Sequence, residues 1–245
     1  MSSREKIEKL EKLFTIKKVQ IEMMASRGFE ITEEEREIYT NDLEYFIEYY
    51  EEMKKKANKG KKSSSTEFKI RDMLTKTYYD YEGERMILVF YAADTGTKSV
   101  SIEAVKVLAT HLDKIYKYGD KQFTIKDVVF IIPADLSSET RSQLTTLLQR
   151  KRIQVFYDKE LMFNVTEHVY VPKYEVFTKE ESEKLLKQMR ALPSQLAIIY
   201  EDDPPIKFLG IQDGTIVRES PNYYALKTIN PNPVRYCQIR KRNEI

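Results

Sequence analysis

Two unbroken apolar runs, Met86-Ile87-Leu88-Val89-Phe90 and Val128-Val129-Phe130-Ile131-Ile132, constrain the fold more than any other feature. A strand that alternates apolar and polar residues needs cover on one face. A strand that is apolar at every position needs cover on both. Between the runs, Ile102, Val105, Leu108, Leu112 and Ile115 recur at helical spacing, which predicts one helix over residues 101–118. Pro133 ends the second run. Ser137 or Ser138 then caps a helix carrying Leu144, Leu147 and Leu148, and Ile153-Gln154-Val155-Phe156 alternates as a further strand. Strands alternating with helices imply an α/β layer with helices on the sheet faces.

The residues before this layer read as helices. Ile7, Leu10, Leu13, Phe14, Ile21 and Met24 make a stripe over residues 4–26, and Gly28 follows as a stop. A second helix starts at Thr32, where Thr32 and Glu35 have capping-box spacing, and continues through Tyr39, Leu43, Phe46, Ile47 and Tyr50. Residues 54–65, Lys-rich and then Ser-rich, read as a charged loop. Strand signals cover 68–79 and 85–91, with Glu82-Gly83 between them as a hairpin turn.

The pattern changes near residue 162. Residues 164–171 look strand-like until Pro172. Thr178 and Glu181 form another capping box ahead of Leu185, Leu186 and Met189. Pro193 and Asp203-Pro204-Pro205 punctuate the next stretch, Gly210 and Gly214 mark turns, and short strands close the chain. The expected organisation is an α/β domain over 1–161 and a small α+β domain over 162–245.

Composition narrows the chemistry. In 245 residues, 41 Lys+Arg stand against 39 Asp+Glu, for a net charge of +2. A uniformly basic nucleic-acid coat is excluded, so any such contact must come from local clusters. One Cys rules out an intramolecular disulfide framework and a Cys-rich zinc site, and two His, at 111 and 168, argue against a His-based metal site. No stretch approaches the roughly 18 apolar residues of a membrane span, and the first residues are charged rather than signal-like. The expectation is a soluble, intracellular chain. Seven Gly argue against glycine-rich phosphate loops.

No nucleophile stands out. His168 next to Glu167 lacks a third, orienting group, and Cys237 lies inside an apparent strand. A metal-dependent nuclease would need clustered carboxylates with a Lys. Asp80, Glu82, Glu84, Asp94, Glu103 and Lys106 do not space that way. The basic clusters are Lys54–Lys62, Arg150-Lys151-Arg152 at a helix end, and Arg240-Lys241-Arg242.

One stretch is specific. Glu160-Leu161-Met162-Phe163-Asn164-Val165-Thr166-Glu167-His168-Val169-Tyr170-Val171-Pro172-Lys173 is followed in order by Thr178 to Glu181, Leu185-Leu186, Gln195-Leu196, Asp203-Pro204, Phe208-Leu209-Gly210, and Arg235-Tyr236 with Arg240. This resembles the fifth subunit shared by the eukaryotic nuclear RNA polymerases, a family that includes a shorter archaeal counterpart. Arg27-Gly28-Phe29, Met86 to Phe90 and Val129 to Leu144 resemble the first domain of the eukaryotic form, with Ser137-Ser138-Glu139-Thr140 where that family carries Thr-Pro-Ser-Ala.

The resemblance implies an N-terminal nuclease-like α/β jaw domain, helices flanking a mixed sheet and no nuclease activity, near downstream double-stranded DNA. It implies a C-terminal assembly domain docking on the largest subunit and on other polymerase subunits. No catalytic residue, metal, cofactor, small-molecule ligand or membrane is expected. The DNA-proximal candidates are Ser137, Ser138, Arg141, Arg150, Lys151 and Arg152. The assembly candidates are Asn164, Thr166, Glu167, His168, Pro172, Asp203, Pro204, Leu209, Gly210, Arg235 and Tyr236. The readings from other classes are a stand-alone transcription regulator that keeps this fold, and a nuclease.

The departures mark a divergent copy. Tyr174 replaces a usual His, Ala197-Ile198 replace Pro-Arg, Gln212-Asp213-Gly214 replaces Lys-Arg-Gly, and residues 222–233 look inserted. With 28 Lys against 13 Arg and scarce Gly, the composition fits an AT-rich coding genome. The source it suggests is a large DNA virus with its own polymerase, which implies virion and host cytoplasm. An unusual eukaryotic lineage, with a nuclear location, is the alternative.

Overall fold

The computed structural model describes residues 3–40, 42–59, 70–94, 96, 98–148, 151–221 and 234–242. The chain divides into two compact units, Met1–Phe163 and Asn164–Ile245.

The first unit begins with helices α1 (Ser3–Ser26), α2 (Glu33–Thr40), α3 (Leu43–Lys59) and the short α4 (Ile70–Leu74). Strands β1 (Lys76–Tyr79) and β2 (Met86–Tyr91) form the expected hairpin around Gly83. Then come β3 (Ser99–Val100), α5 (Ile102–Leu112), β4 (Ile115–Tyr118), β5 (Lys121–Thr124) and β6 (Asp127–Ile132). The last three are β7 (Asp135–Leu136), α6 (Ser138–Leu148) and β8 (Arg152–Tyr157). The main sheet runs β1-β2-β6-β8. β2, β6 and β8 are parallel and β1 is antiparallel, so the sheet is mixed.

Both apolar runs are central strands covered on both sides, as their composition demands. Leu88 and Phe90, with Val128, Phe130 and Ile132, pack against Val105, Leu108 and Leu112 of α5 and Leu144 of α6. Ile87, Val89, Tyr91, Val129 and Ile131 point the other way and are buried too. There α1 covers the sheet, hydrogen-bonded through Lys17 to Tyr78 and through Gln20 to Tyr91. Each large aliphatic side chain buried in this way contributes about 1.5–3 kcal/mol.

Several expectations are corrected. The expected helix from Thr32 through Tyr50 is two helices, α2 and α3, with the Asp42 carboxylate accepting from the Tyr45 amide at 3.0 Å to start the second. Lys54–Lys59 are helical in α3 rather than loop, since nothing before residue 60 breaks the helix; residues 60–69 lie outside the described residues. Ile70–Leu74 is helix, not strand.

The predicted helix over 101–118 stops at Leu112. Ile115–Tyr118 instead pairs antiparallel with β5, and Ile115 is 63% exposed. Gly119, at φ 57, supplies the left-handed first position of the two-residue turn between them. Of the Arg150–Arg152 cluster, Arg150 lies outside the described residues, the Lys151 amide returns to the Leu147 carbonyl of α6 at 3.0 Å, and Arg152 opens β8.

The second unit contains β9 (Lys173–Val176), α7 (Lys179–Met189), β10 (Ala197–Tyr200), α8 (Pro204–Leu209), β11 (Ile216–Ser220) and β12 (Arg235–Arg240). The sheet order is β10-β12-β11-β9, with only the β10–β12 pair parallel. One face carries Val217, Cys237 and Ile239 onto Ile206 and Leu209 of α8. The Thr178 capping box forms: its hydroxyl accepts from the Glu181 amide at 3.3 Å, and the Glu181 carboxylate accepts from the Thr178 amide at 2.8 Å. The stretch 164–171 is not a strand but a 3-10 turn, Val165–Glu167, followed by further turns. The molecule is therefore an α/β unit with helices flanking a mixed sheet, joined to a small α+β unit. Among the described residues no helix is long and apolar enough to cross a membrane.

Candidate functional site

In the second unit the motif residues gather around α8. Asn164 precedes the 3-10 turn. Its Oδ1 accepts from the Thr166 amide at 3.0 Å and from the Thr166 hydroxyl at 2.6 Å, which holds Val165–Glu167 in shape. Helix α8 packs against that turn, so Asn164 to Glu167 and Asp203 to Gly210 stand together although distant in sequence. Pro204 and Pro205 occupy the first turn of α8, where an amide has no intrahelical partner and a proline costs nothing. Gly210, at φ 69, ends the helix, and the Ile211 amide returns to the Ile206 carbonyl at 3.2 Å.

Side chains then project outward. Glu167 and His168 are exposed, and His168 Nδ1 accepts from the Tyr170 amide at 3.3 Å. Tyr170 is 73% exposed and Val169 is also open. Pro172 is half-buried ahead of β9. Burial pushes the Asp203 carboxyl up, and the neighbouring Asp202 and Glu219 add to it.

On the sheet, Arg235 pairs with Glu219 through both Nε and Nη2, and Tyr236 lies 6.0 Å from the Phe177 ring. Cys237 is fully buried. Burial first, then the Glu219 carboxylate, push its thiol up to about 11, so it is a quiet thiol rather than a nucleophile.

In the first unit the five DNA-proximal candidates that are described, all but Arg150, do not form one surface. The Ser137 hydroxyl accepts from the Thr140 amide at 3.2 Å, capping α6, and Thr140 donates to the Val100 carbonyl at 3.0 Å. Ser138 and Arg141 are exposed beside that cap, past the C-terminal end of β6. Lys151 and Arg152 lie at the other end of the strands. Lys151 donates to the Ile125 carbonyl at 2.7 Å, and Arg152 faces Asp127, the first residue of β6, at 3.8 Å. Six strand residues span about 20 Å, which separates the two groups.

The carboxylates considered for metal chemistry are also dispersed. Asp80 accepts from the Glu84 and Arg85 amides in the β1–β2 turn, Asp94 accepts from the Gly96 amide, and Glu103 pairs with Lys106 on α5. Among the described residues no group of three or more His, Cys, Asp or Glu is placed to hold a metal ion.

Sequence reasoning missed two buried polar knots. Lys17, 1% exposed, lies 2.9 Å from Glu35 Oε1 and 2.7 Å from both Gln20 Oε1 and Tyr78 Oη. Lys76 and Tyr78 also donate to Glu35, so its carboxylate serves the sheet, and of the expected capping box only the other half forms, the Thr32 hydroxyl accepting from the Glu35 amide at 3.4 Å. Burial pulls the Lys17 ammonium down to about 8 against the pull of Glu35. In the second knot, Arg71 grips Asp158 with two hydrogen bonds at 2.8 and 3.0 Å. Residues so far apart in sequence leave no spacing signal.

Comparison with known proteins gives a consistent picture. Residues 163–221 match the family described as RNA polymerase Rpb5, C-terminal domain. The chain is 48% identical over 54 residues to the DNA-directed RNA polymerase subunit Rpo5 of Methanocaldococcus jannaschii, covering 22% of this chain and 69% of that protein. It is 23% identical over 207 residues to the subunit RPABC1 of DNA-directed RNA polymerases I, II and III from Caenorhabditis briggsae, covering 84% of this chain and 87% of the relative. A similar match, 23% over 211 residues, covers 86% of this chain and 89% of DNA-directed RNA polymerase subunit 5-like protein 1 of Arabidopsis thaliana.

Proposed function

The chain belongs to the Rpb5 family of RNA polymerase subunits, and from that premise we propose that it is a non-catalytic subunit of a multisubunit DNA-directed RNA polymerase. The observation that carries this reading is the length of the likeness: it runs through both units and not only through the C-terminal one. The 164–245 unit is the assembly module. Its contact with the largest subunit uses the surface around α8 and the Asn164 turn, together with β12. The 1–163 unit is the jaw component near downstream DNA, and Ser137, Ser138 and Arg141 at the start of α6 are its phosphate-facing group. Hydroxyls, first-turn amides and a cation suit phosphate oxygens without reading sequence. A net charge of +2 suits a subunit held beside DNA by larger neighbours. In a cell of nuclear organisation the chain works in the nucleus.

The test is affinity purification of the tagged full chain from its source. Recovery of the two largest polymerase subunits at equal stoichiometry is expected. Recovery of other partners without polymerase, or of DNA cleavage lost on mutating Asp80 or Glu103, would overturn the reading.

A further inference from the structure

The end of α7 carries a groove that the assembly surface around α8 does not include. Leu186, Ala191, Leu192 and Pro193 form its apolar wall, Lys187 and Arg190 flank it, and its volume is about 420 Å³. Leu192 is 64% exposed, and nearby Met189 is open as well. No residue of α7 is buried. The depression is shallow and open to solvent, with apolar side chains and cations side by side.

The cations are not committed internally. Elsewhere in this unit Arg218 pairs with Glu175, Arg235 with Glu219 and Arg242 with Asp202. Lys187 and Arg190 have no ion-pair partner among the described residues. Glu183 is the one carboxylate in the lining, which leaves a surplus of one positive charge.

Arg190 is informative in a second way. It is the C-cap of α7 at φ 49 and ψ 41, the only non-glycine residue with positive φ among the described residues. A side chain there crowds its own backbone, a clash that glycine avoids, and glycine is the usual occupant. A cation near a helix end is favourable, but Lys187 in the last turn already supplies one. The arginine is thus held in a costly backbone position beside an apolar groove.

We propose that this groove docks a short acidic, apolar peptide segment of a partner protein. An apolar side chain of the peptide enters between Leu186 and Leu192, and flanking carboxylates pair with Lys187 and Arg190. The assignment goes beyond the polymerase-subunit reading and does not depend on it, because it rests on the groove, its charge and the Arg190 backbone alone. The apolar contact supplies burial, and the charges supply orientation and selection against basic peptides.

The test is fluorescence anisotropy with the purified full chain and a labelled peptide in which Leu and Phe alternate with Asp. Saturable binding that weakens with salt is expected. Arg190→Gly fits the left-handed backbone better than arginine, so it should hold or raise Tm while weakening binding about tenfold. Leu192→Ser should weaken binding similarly, and Lys106→Ala on α5 should leave it unchanged. Equal binding of a peptide with Asn for Asp overturns the proposal, as does unchanged affinity in Arg190→Gly. Displacement of the peptide by duplex DNA overturns it in favour of a nucleic-acid surface. Binding to the isolated chain that disappears in purified polymerase overturns it in favour of a subunit interface.

Discussion

The Thr140 hydroxyl donates to the Val100 carbonyl at 3.0 Å while its own amide is held by Ser137. This fastens the first turn of α6, where Ser138 and Arg141 are exposed, to strand β3. Thr140→Val keeps the shape but removes this bond to a buried strand carbonyl, at a cost of about 1 kcal/mol. Ser137→Ala removes the cap and costs about 1 kcal/mol. Both should lower Tm in thermal unfolding. Unchanged melting of Thr140→Val would show that the bond does not hold the turn.

Arg141→Ala tests the proposed DNA contact apart from folding. The side chain is exposed, so stability should change by less than about 0.5 kcal/mol. The variant should enter polymerase normally, and the complex should hold downstream duplex DNA less tightly, with a shallower salt dependence. Electrophoretic mobility of elongation complexes across a salt series measures this, and an unaltered slope counts against the contact.

The Lys17–Glu35 knot predicts an asymmetry. Glu35→Gln strands a buried ammonium and should cost about 3–5 kcal/mol. Lys17→Met leaves Glu35 with Lys76 at 2.6 Å and with Tyr78, and should cost less. Burial pushes the Glu35 carboxyl up, but Lys17, Lys76 and Tyr78 outweigh it and hold the group below its ordinary 4.5. The folded pKa is depressed, so the contribution of Glu35 is present above its unfolded value and lost as pH falls through the folded one. Lys17 is also depressed, to about 8 from 10.5, so the folded chain binds fewer protons there. Its burial cost therefore shrinks as pH rises from about 8 to 10.5. Urea denaturation across both windows, in wild type and Lys17→Met, should show the second effect vanish in the variant.

Removing everything after Phe163 separates the two units at their boundary. The remaining first unit keeps its own core and should still unfold cooperatively. It should no longer co-purify with polymerase. If the shortened chain is still incorporated, the assembly role does not belong to residues 164–245.

Cys237 should be nearly unreactive to a thiol reagent at pH 8 in the native chain, because it is buried and its thiol is pushed up to about 11. In denaturant the same reagent should titrate one thiol at once. The ratio of the two rates reports opening of the β11–β12 face.

What could be read from the sequence depended on how local the determining interaction is. Strands β2 and β6 were legible because an apolar residue at every position leaves a strand no exposed face. The Thr178–Glu181 cap was legible because both partners lie within one turn. β4 was not, because Ile115 falls in register with the helical stripe before it and only Gly119 marks the hairpin. Glu35 shows the limit most clearly. Its spacing from Thr32 reads as a cap, yet the carboxylate is drawn to Lys17, Lys76 and Tyr78, which no local pattern connects. For the assembly surface, the motifs were visible as ordered words. The packing of α8 on the Asn164 turn, which makes them one surface, was not.

Strand β10 has one neighbour among the described residues, and Ile198 and Tyr200 are exposed along it. Unpaired amides beside apolar side chains are a template for further strands. In the isolated chain that margin is a place where a second copy can pair. The purified chain should therefore be increasingly prone to self-association as its concentration is raised.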